Sequence, residues 1–334
     1  MALYDHEGPR ELAPLSILGH PPNRSREMKT KLSKPLIHSL YKVFSRVPLL
    51  GMAVKRWKIN KNFALERKVL KGQHQSTSKN RSILFFSVYR AGSTFSGGLM
   101  KKIAGEAGLT AVDLDGYFYE LGKGKEWEGK GRVMLDVPYR STGYFYGPFR
   151  SFNRGIRNIE DYKILLLLRD PGDVIVSSYY AIYSHVTPLL EGKQALRTRV
   201  QRREKQLEQT VDEFVINRLN SNSRFLERYY EYHKELMGKT NVLFLKYENM
   251  VENFDTWLDR LIEFLGMDLS REFIHRVKAE ADFKVSKEDI HKHKRQVTPG
   301  DHIRKLKPET IDFLNSKTGE IRKLFGYEAP NSAF

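Results

Sequence analysis

The chain has 334 residues, 40% of them apolar and 12% aromatic, a composition that supports a real core and excludes wholesale disorder. A formal charge of +17, from 57 basic against 40 acidic side chains, points to polyanionic partners: nucleic acid, a membrane surface or a multiply phosphorylated small molecule. Having no cysteine, the chain forms no disulfide or thiolate metal site, which fits a reducing, cytoplasmic setting. The charged, proline-bearing opening MALYDHEGPRELAP does not read as a secretory leader, and no stretch reaches the ~20 apolar residues of a transmembrane helix.

Residues 1–28 carry four prolines and no periodicity, and read as a loose arm. From Leu32 to Trp57 apolar residues (Leu36, Leu40, Val43, Phe44, Val47) recur at helical spacing among Lys and Arg. This predicts a helix docked on the main domain, with peripheral contact to a membrane surface as the alternative for 32–57. A polar linker over 73–81 closes an N-terminal extension, so the expected division is 1–80 and 81–334. The second part alternates. Ile83–Phe86 is a strand and Thr94–Glu106 a helix; Thr110–Leu114 and Val133–Val137 are strands. Ile164–Leu168 is a continuous apolar run of the kind buried in a parallel sheet. Asp173–Tyr183 is helical, 193–236 is helical and charge-laced, Val242–Leu245 is a strand and Phe254–Leu265 a helix. The basic front of the charge-laced run, 193–210, is either a solvated face or a lid over the acceptor pocket. Alternation of this kind means an α/β fold with a central, mostly parallel sheet flanked by helices.

Three segments carry chemistry. SILFFSVYRAGSTF (82–95) runs from an apolar strand through a short polar loop into a helix, a ready anion cradle. Arg90 supplies a cation, Gly92 allows close backbone approach, and Ser93 and Thr94 supply hydroxyls. The G-x-x-x-x-G-K-[ST] loop of nucleotide triphosphatases is not met, since the first glycine and the Gly-Lys pair are missing. In LLLLRDPGDVIVSSYYAI (165–182) a strand ends at Arg169, Asp173 reads as the helix N-cap, and Ser177 lies on the second turn. Arg169 and Ser177 can converge on one phosphate, the guanidinium in bidentate fashion; a plain Arg169–Asp173 pair is the alternative. HKRQVTPGDHIRKL (293–306) is a basic stretch holding Arg295 ahead of a Pro-Gly-Asp turn.

Together these segments resemble the sulfotransferases that use 3′-phosphoadenosine 5′-phosphosulfate (PAPS), with the P-loop-like fold of that family. VYRAGSTF is similar to the family's 5′-phosphosulfate loop, Y-P-K-S-G-T-T-W. The resemblance sets Tyr89, Arg90, Ala91, Gly92, Ser93 and Thr94 around the phosphosulfate, and Phe95 where a tryptophan packs on adenine. LRDPGDVIVSSYY resembles the 3′-phosphate motif R-N-P-K-D-x-x-x-S-Y-Y and implies that role for Arg169 and Ser177. RQVTPGDHIRKL resembles the late R-K-G-x-x-G-D-W segment, with Arg295 in register and Gln296, Val297 and His302 departing from it. The strand and Y-E-D-M segment of the family looks like VLFLKYENM, with Tyr247 and Glu248 matching. Phe283 stands where the family often stacks a phenylalanine on adenine, though core packing accounts for it equally. The resemblance spans about residues 82–327 and implies PAPS as donor with no metal.

An acceptor hydroxyl needs a base. Cytosolic members of the family take it from K-T-H-x-P, which is absent here. Glycan and protein-tyrosine members use a glutamate one strand past the loop helix, and the matching stretch, TAVDLDGYFYE, offers Asp115 first and Asp113 as a weaker option. Asp136, at the end of RVMLDVPYR, is the second candidate and His185 the third. The implied partner is a small-molecule acceptor of secondary-metabolite type, sulfated on oxygen or nitrogen; a glycan or lipid-linked sugar is the alternative. No nucleic-acid-binding motif is present to explain the charge.

Overall fold

The computed structural model describes residues 48–122, 137–184, 208–221, 224–283 and 297–327, with positions 204, 206, 285, 288 and 289. Five strands, β1 (Ile83–Ser87), β2 (Thr110–Val112), β3 (Tyr144–Phe149), β4 (Lys163–Leu168) and β5 (Val242–Lys246), form one parallel sheet in the order β2-β3-β1-β4-β5. β1 is therefore central, pairing from Ile83↔Lys163 to Ser87↔Leu167 on one side and from Ile83↔Phe145 on the other. From β1 the chain passes to the edge strand β2, returns through β3 beside β1, and then crosses to β4 and β5 on the other side. Such a reversal opens a crevice beyond the carboxyl ends of the central strands.

Successive side chains on these strands face opposite layers, as the pleat dictates. Leu84, Phe86, Ile164, Leu166 and Leu168 pack with Tyr229, Tyr232, Ile321 and Phe325. Ile83, Phe85, Leu165, Leu167, Leu243 and Leu245 pack with Leu99, Ile103, Leu258 and Leu261. The first layer is built by α7 (Arg224–Leu236) and α12 (Pro308–Phe325), the second by α3 (Ser93–Glu106) and α9 (Phe254–Leu265). Each fully buried aliphatic or aromatic side chain contributes about 1.5–3 kcal/mol. β1 and β4 carry the largest share, being covered on both faces.

The expected strand at Val133–Val137 falls outside the described residues except for Val137, which is in no strand. β3 lies further on, in YFYGPF. Its Gly147-Pro148 reads as a turn, yet it is accommodated where the β1–β3 register shifts between Leu84 and Phe86. A Cβ at Gly147 would sit 2.7 Å from the Phe85 carbonyl oxygen, so only glycine lets the two backbones approach there.

Ahead of the sheet lie α1 (Pro48–Asn62) and α2 (Ala64–Leu70). Val69 of α2 joins the core, and the Glu66 carboxylate accepts the Asp113 N–H at 3.0 Å. The polar 73–81 stretch is tied down as well. The Tyr144 hydroxyl donates to the His74 carbonyl at 3.0 Å and accepts from the Ser76 N–H at 3.1 Å. Of the 32–57 segment, residues 48–57 are described and form the front of α1. Among the described residues no helix is long and apolar enough to cross a membrane.

Candidate functional site

All five strands deliver side chains to one edge of the sheet. Val88–Gly92 follows β1. Asp113 and Asp115 follow β2, and Arg150 follows β3. Arg169 and Asp170 follow β4, and Tyr247 and Glu248 follow β5.

The loop after β1 is held in an unusual conformation. Arg90 has φ of 69°, a left-handed setting that costs a non-glycine residue roughly 1–2 kcal/mol. Gly92 has φ of 71°, and a Cβ there would lie 2.9 Å from two ring carbons of Tyr247. Glycine is thus required twice, for its torsion and for its clearance. α3 begins at Ser93 with no side-chain cap. Its first intrahelical bond runs from the Ser96 N–H to the Gly92 carbonyl at 3.0 Å, so the N–H groups of Ser93, Thr94 and Phe95 precede it. Ser93 is buried, Thr94 exposed, and burial lowers the pKa of the half-buried Arg90 without threatening its charge. The expected succession of strand, polar loop and open helix N-terminus is present.

Arg169 is 4% exposed, and its guanidinium braces that loop. One terminal nitrogen donates to the Arg90 carbonyl at 3.3 Å, the other to Asp173 Oδ2 at 3.2 Å, and the group lies 4.4 Å from the Tyr247 ring centre. Nε alone keeps no partner. The two arginines therefore meet in one site, but the free bidentate fork expected of Arg169 is already committed, as in the alternative pairing with Asp173. Arg90's left-handed torsion turns its carbonyl to the brace.

The N-cap assignment is corrected. α5 (Pro171–Ser184) has Pro171 as its first residue, and Asp170 caps it, Oδ1 accepting from the N–H groups of Gly172 at 2.7 Å and Asp173 at 3.3 Å. Asp173 is instead a fully buried hub. It accepts from Arg169, from the backbone N–H groups of Gly300 (2.9 Å) and His302 (3.0 Å), and from His302 Nδ1 (2.7 Å). Burial pushes this carboxyl upward, but the His302 hydrogen bond and the Arg169 charge outweigh it and hold it well below the usual range. Beyond His302, the Arg322 guanidinium meets His302 Nε2 at 2.7 Å and Asp170 Oδ1 at 3.1 Å. Ser177 is half-buried one turn after Asp173 on α5.

Two tyrosines of α7 lock the strand ends in place. Tyr229 donates to the Arg169 carbonyl at 2.8 Å and Tyr232 to the Ser87 carbonyl at 2.9 Å. Across the cleft, Tyr247 donates to the Val297 carbonyl at 2.9 Å, holding the late loop against the site. Arg295 itself lies outside the described residues, as do Asp136 and His185.

Asp113 is occupied: it caps α4 (Leu114–Glu120) through the Gly116 N–H at 2.9 Å and pairs with Lys101 at 3.0 Å. Asp115, in the first turn of α4, is half-buried, and its Oδ2 accepts the Arg150 N–H at 2.8 Å. Arg150 in turn places its guanidinium 5.6 Å from the Tyr89 ring centre, next to Arg90. The other predicted pair, Phe95 and Phe283, meet edge to face with centroids 4.9 Å apart, and both touch Phe254. That spacing leaves no room for a flat ring between them, so Phe283 packs here as part of an aromatic cluster.

Glu248 is perturbed in the opposite direction to Asp173. Burial pushes its pKa up to about 7, although Oε1 accepts the Asp170 N–H at 2.9 Å; Oε2 has no partner. The folded protein thus retains a proton between the usual carboxylate pKa and about 7, where the unfolded chain has released it. Stability contributed by this group falls as pH rises through that window, reaching a cost of roughly 3 kcal/mol above it. Glu248→Gln keeps an acceptor for Asp170 and is expected to be more stable than the parent at about pH 8, with a flatter profile below about pH 7. Urea melts across that range check this, and an unchanged pH slope would refute it.

The sequence matches the family model described as "Sulfotransferase domain" over residues 156–315. No curated protein gives a significant match. Among solved structures, a mouse sulfotransferase complexed with 3′-phosphoadenosine 5′-phosphate (PAP) is 17% identical, covering 78% of this chain and 94% of its own, with a TM-score of 0.48. A retinol dehydratase in a complex with retinol and PAP is 17% identical over 79% of this chain and 86% of its own, at 0.49. Its complex with androsterone and PAP gives 16% and 0.49.

Proposed function

We propose that this chain, which over residues 156–315 is a member of the sulfotransferase domain family, moves a sulfonate from PAPS to a hydroxyl or nitrogen of a small-molecule acceptor. The observation that carries the reading is the uncapped N-terminus of α3 just after Arg90, whose carbonyl a buried arginine holds. A donor with two phosphate ends suits the residues present. Ser93 opens α3 without a side-chain cap, and Arg169 Nε is a buried donor without a partner.

When bound, PAPS supplies a sulfonyl group already joined to a phosphate leaving group. The chain's own work is positional and electrostatic. The N–H groups of Ser93, Thr94 and Phe95, the Ser93 and Thr94 hydroxyls and the Arg90 guanidinium face the 5′ end and stabilise charge gathering on the leaving oxygen. Arginine does not give up its proton at any ordinary pH, so Arg90 acts as a fixed charge. Ser177 and Arg169 Nε serve the 3′-phosphate, with Asp173 and Tyr247 fixing the guanidinium. Asp115 accepts the acceptor's proton. The Phe95 face, 36% exposed, is the apolar surface offered to adenine. Among the described residues no group of three or more metal-ligating side chains is gathered.

Thermal denaturation with PAP, ATP and duplex DNA tests this reading. PAP at about 100 times its Kd adds about 2.7 kcal/mol of stability, visible as a rise in Tm that ATP does not match. Equal shifts with ATP, or a shift with DNA alone, would sink the assignment.

A further inference from the structure

One departure from the late-segment pattern falls at the centre of the buried charges. His302, 5% exposed, lies in the short helix α11 (Asp301–Lys305), where the pattern R-K-G-x-x-G-D-W has tryptophan. Its ring is held from both sides. Nδ1 lies 2.7 Å from Asp173 Oδ1, and Nε2 lies 2.7 Å from a terminal nitrogen of Arg322 on α12. Asp170 stands 3.8 Å from Nδ1 and pairs with the same guanidinium at 3.0 Å. Gly172 leaves room for this contact, since a Cβ there would lie 2.9 Å from His302 Cγ and 2.9 Å from that Arg322 nitrogen. α12 is a firm base for it: its Leu314 packs with Ile175 and Val176 of α5 and with Val215 and Leu219 of α6 (Val211–Ser221).

These partners decide where the ring carries its proton. Asp173 is held below the usual carboxylate range, so it only accepts, and Nδ1 must donate. A guanidinium only donates and keeps its charge, so Nε2 must offer its lone pair. His302 is therefore a neutral imidazole of the Nδ1–H form. Around it stand two cations, Arg169 and Arg322, and two carboxylates, Asp170 and Asp173, which balance while the ring is neutral. A tryptophan could donate to Asp173 but has no acceptor for Arg322.

Resting on the sulfotransferase reading, we infer that His302 is a positioning residue for the donor: its neutral, Nδ1-protonated ring ties Arg322 to Asp173 and so holds Arg169 and the late turn in their donor-binding arrangement. Asp173 gives its other oxygen to Arg169 at 3.2 Å and to the Gly300 N–H at 2.9 Å. One carboxylate thus orients the arginine that braces the nucleotide loop and anchors the start of α11. Fixing its rotation fixes both. Arg322, His302, Asp173 and Arg169 form an unbroken series of side-chain contacts from the late helix α12 to the Arg90 carbonyl. Buried networks of this kind are stiff only while every member is satisfied.

Three variants separate the two ring nitrogens. His302→Asn places an amide N–H near the position of Nδ1, His302→Gln reaches toward that of Nε2, and His302→Phe has neither. Calorimetry with PAP should find affinity within about threefold of the parent for Asn and about tenfold weaker for Gln and Phe, the loss of one charge-assisted hydrogen bond. Urea melts report stability alongside. A merely structural histidine would lower stability in all three with PAP affinity unmoved, and that result overturns the inference. So does an Asn variant as impaired as Phe. In the parent protein near pH ~7, nitrogen NMR on isotope-labelled histidine should show the buried His302 ring protonated on Nδ1 and bare on Nε2. A proton on Nε2, or on both nitrogens, overturns the inference even if no variant folds. Failure of PAP to bind the parent is a different result: it removes the donor reading, while the ring's proton is still read in the same spectrum.

Discussion

Arg169→Ala is expected to destabilise the protein by about 3–5 kcal/mol and to abolish the Tm rise produced by PAP. The estimate follows from what the guanidinium leaves behind. Arg169 and Asp173 form an ion pair in which the two side chains are 4% and 0% exposed. Removing one partner strands a buried carboxylate, with only the His302 ring and two backbone N–H groups still facing it. The Tyr247 ring loses the cation stacked 4.4 Å from its centre, and the Arg90 carbonyl loses the donor that justifies its left-handed torsion. A loop free to relax no longer holds Arg90 in one setting ahead of α3. The pH dependence supplies a second signature. Asp173 is held below the usual carboxylate range in the fold, so the folded chain binds fewer protons there and its stability is lost as pH falls. Without Arg169 that depression shrinks, and the acid limb of the stability curve becomes shallower. Arg169→Lys should restore little, since one ammonium cannot serve Asp173 and the Arg90 carbonyl in a fixed fork. Urea denaturation from about pH 3 to 8 measures both effects. A variant within 1 kcal/mol of the parent, still stabilised by PAP, would refute the bracing role.

How far the sequence reveals all this depends on the range of the interactions concerned. β1, β4 and α9 follow from apolar runs and helical spacing, because burial on both faces or on one stripe writes itself into consecutive residues. β3 does not, because Gly147-Pro148 carries the local signature of a turn and only the bulge against β1 makes it a strand. The nucleotide loop is legible for the same reason as β1: strand, loop and helix N-terminus are contiguous. Its brace is not. Asp173 and His302 are 129 positions apart, and nothing near Asp173 reveals that its donors come from the late loop. The capping residue was within reach of local reasoning, since proline favours the first helical position and so points to Asp170 before it. Tyr229 and Tyr232 sit in a charge-laced helix where no neighbouring residue announces what their hydroxyls meet. Their burial comes from the sheet that α7 covers, and only packing shows that both hydroxyls end on strand carbonyls. Arg150 and Arg228 likewise come together only in the fold, each 5.6 Å from the Tyr89 ring centre.

Asp115→Asn is expected to lower the rate of sulfonate transfer by about 10²–10⁴-fold with PAP affinity unchanged. The substitution is chosen because the amide oxygen still accepts the Arg150 N–H that Asp115 Oδ2 takes at 2.8 Å, so the turn after β3 keeps its anchor. What disappears is the capacity to take a proton. Position favours this residue over its neighbour: Asp113 is bound by its own helix cap and by Lys101, and its loss would read out as stability. Asp115 lies instead beside the cleft. Together with Arg150 and Arg228 it lies close enough to the buried Tyr232 hydroxyl to influence it, and that hydroxyl is fixed to the last residue of β1. The carboxylate is therefore tied through Arg150 and Tyr89 to Arg90 and through Tyr232 to the start of the same loop. In-line displacement demands a base on the side of the sulfonate opposite the leaving phosphate, and that demand is what the substitution tests at this position. Single-turnover kinetics on protein preloaded with PAPS, using an acceptor identified by its sulfonate mass gain, isolate the chemical step. An unchanged rate would remove Asp115 from the mechanism and leave Asp136 and His185 as the bases to test. A loss of PAP affinity in parallel would place Asp115 in donor binding instead.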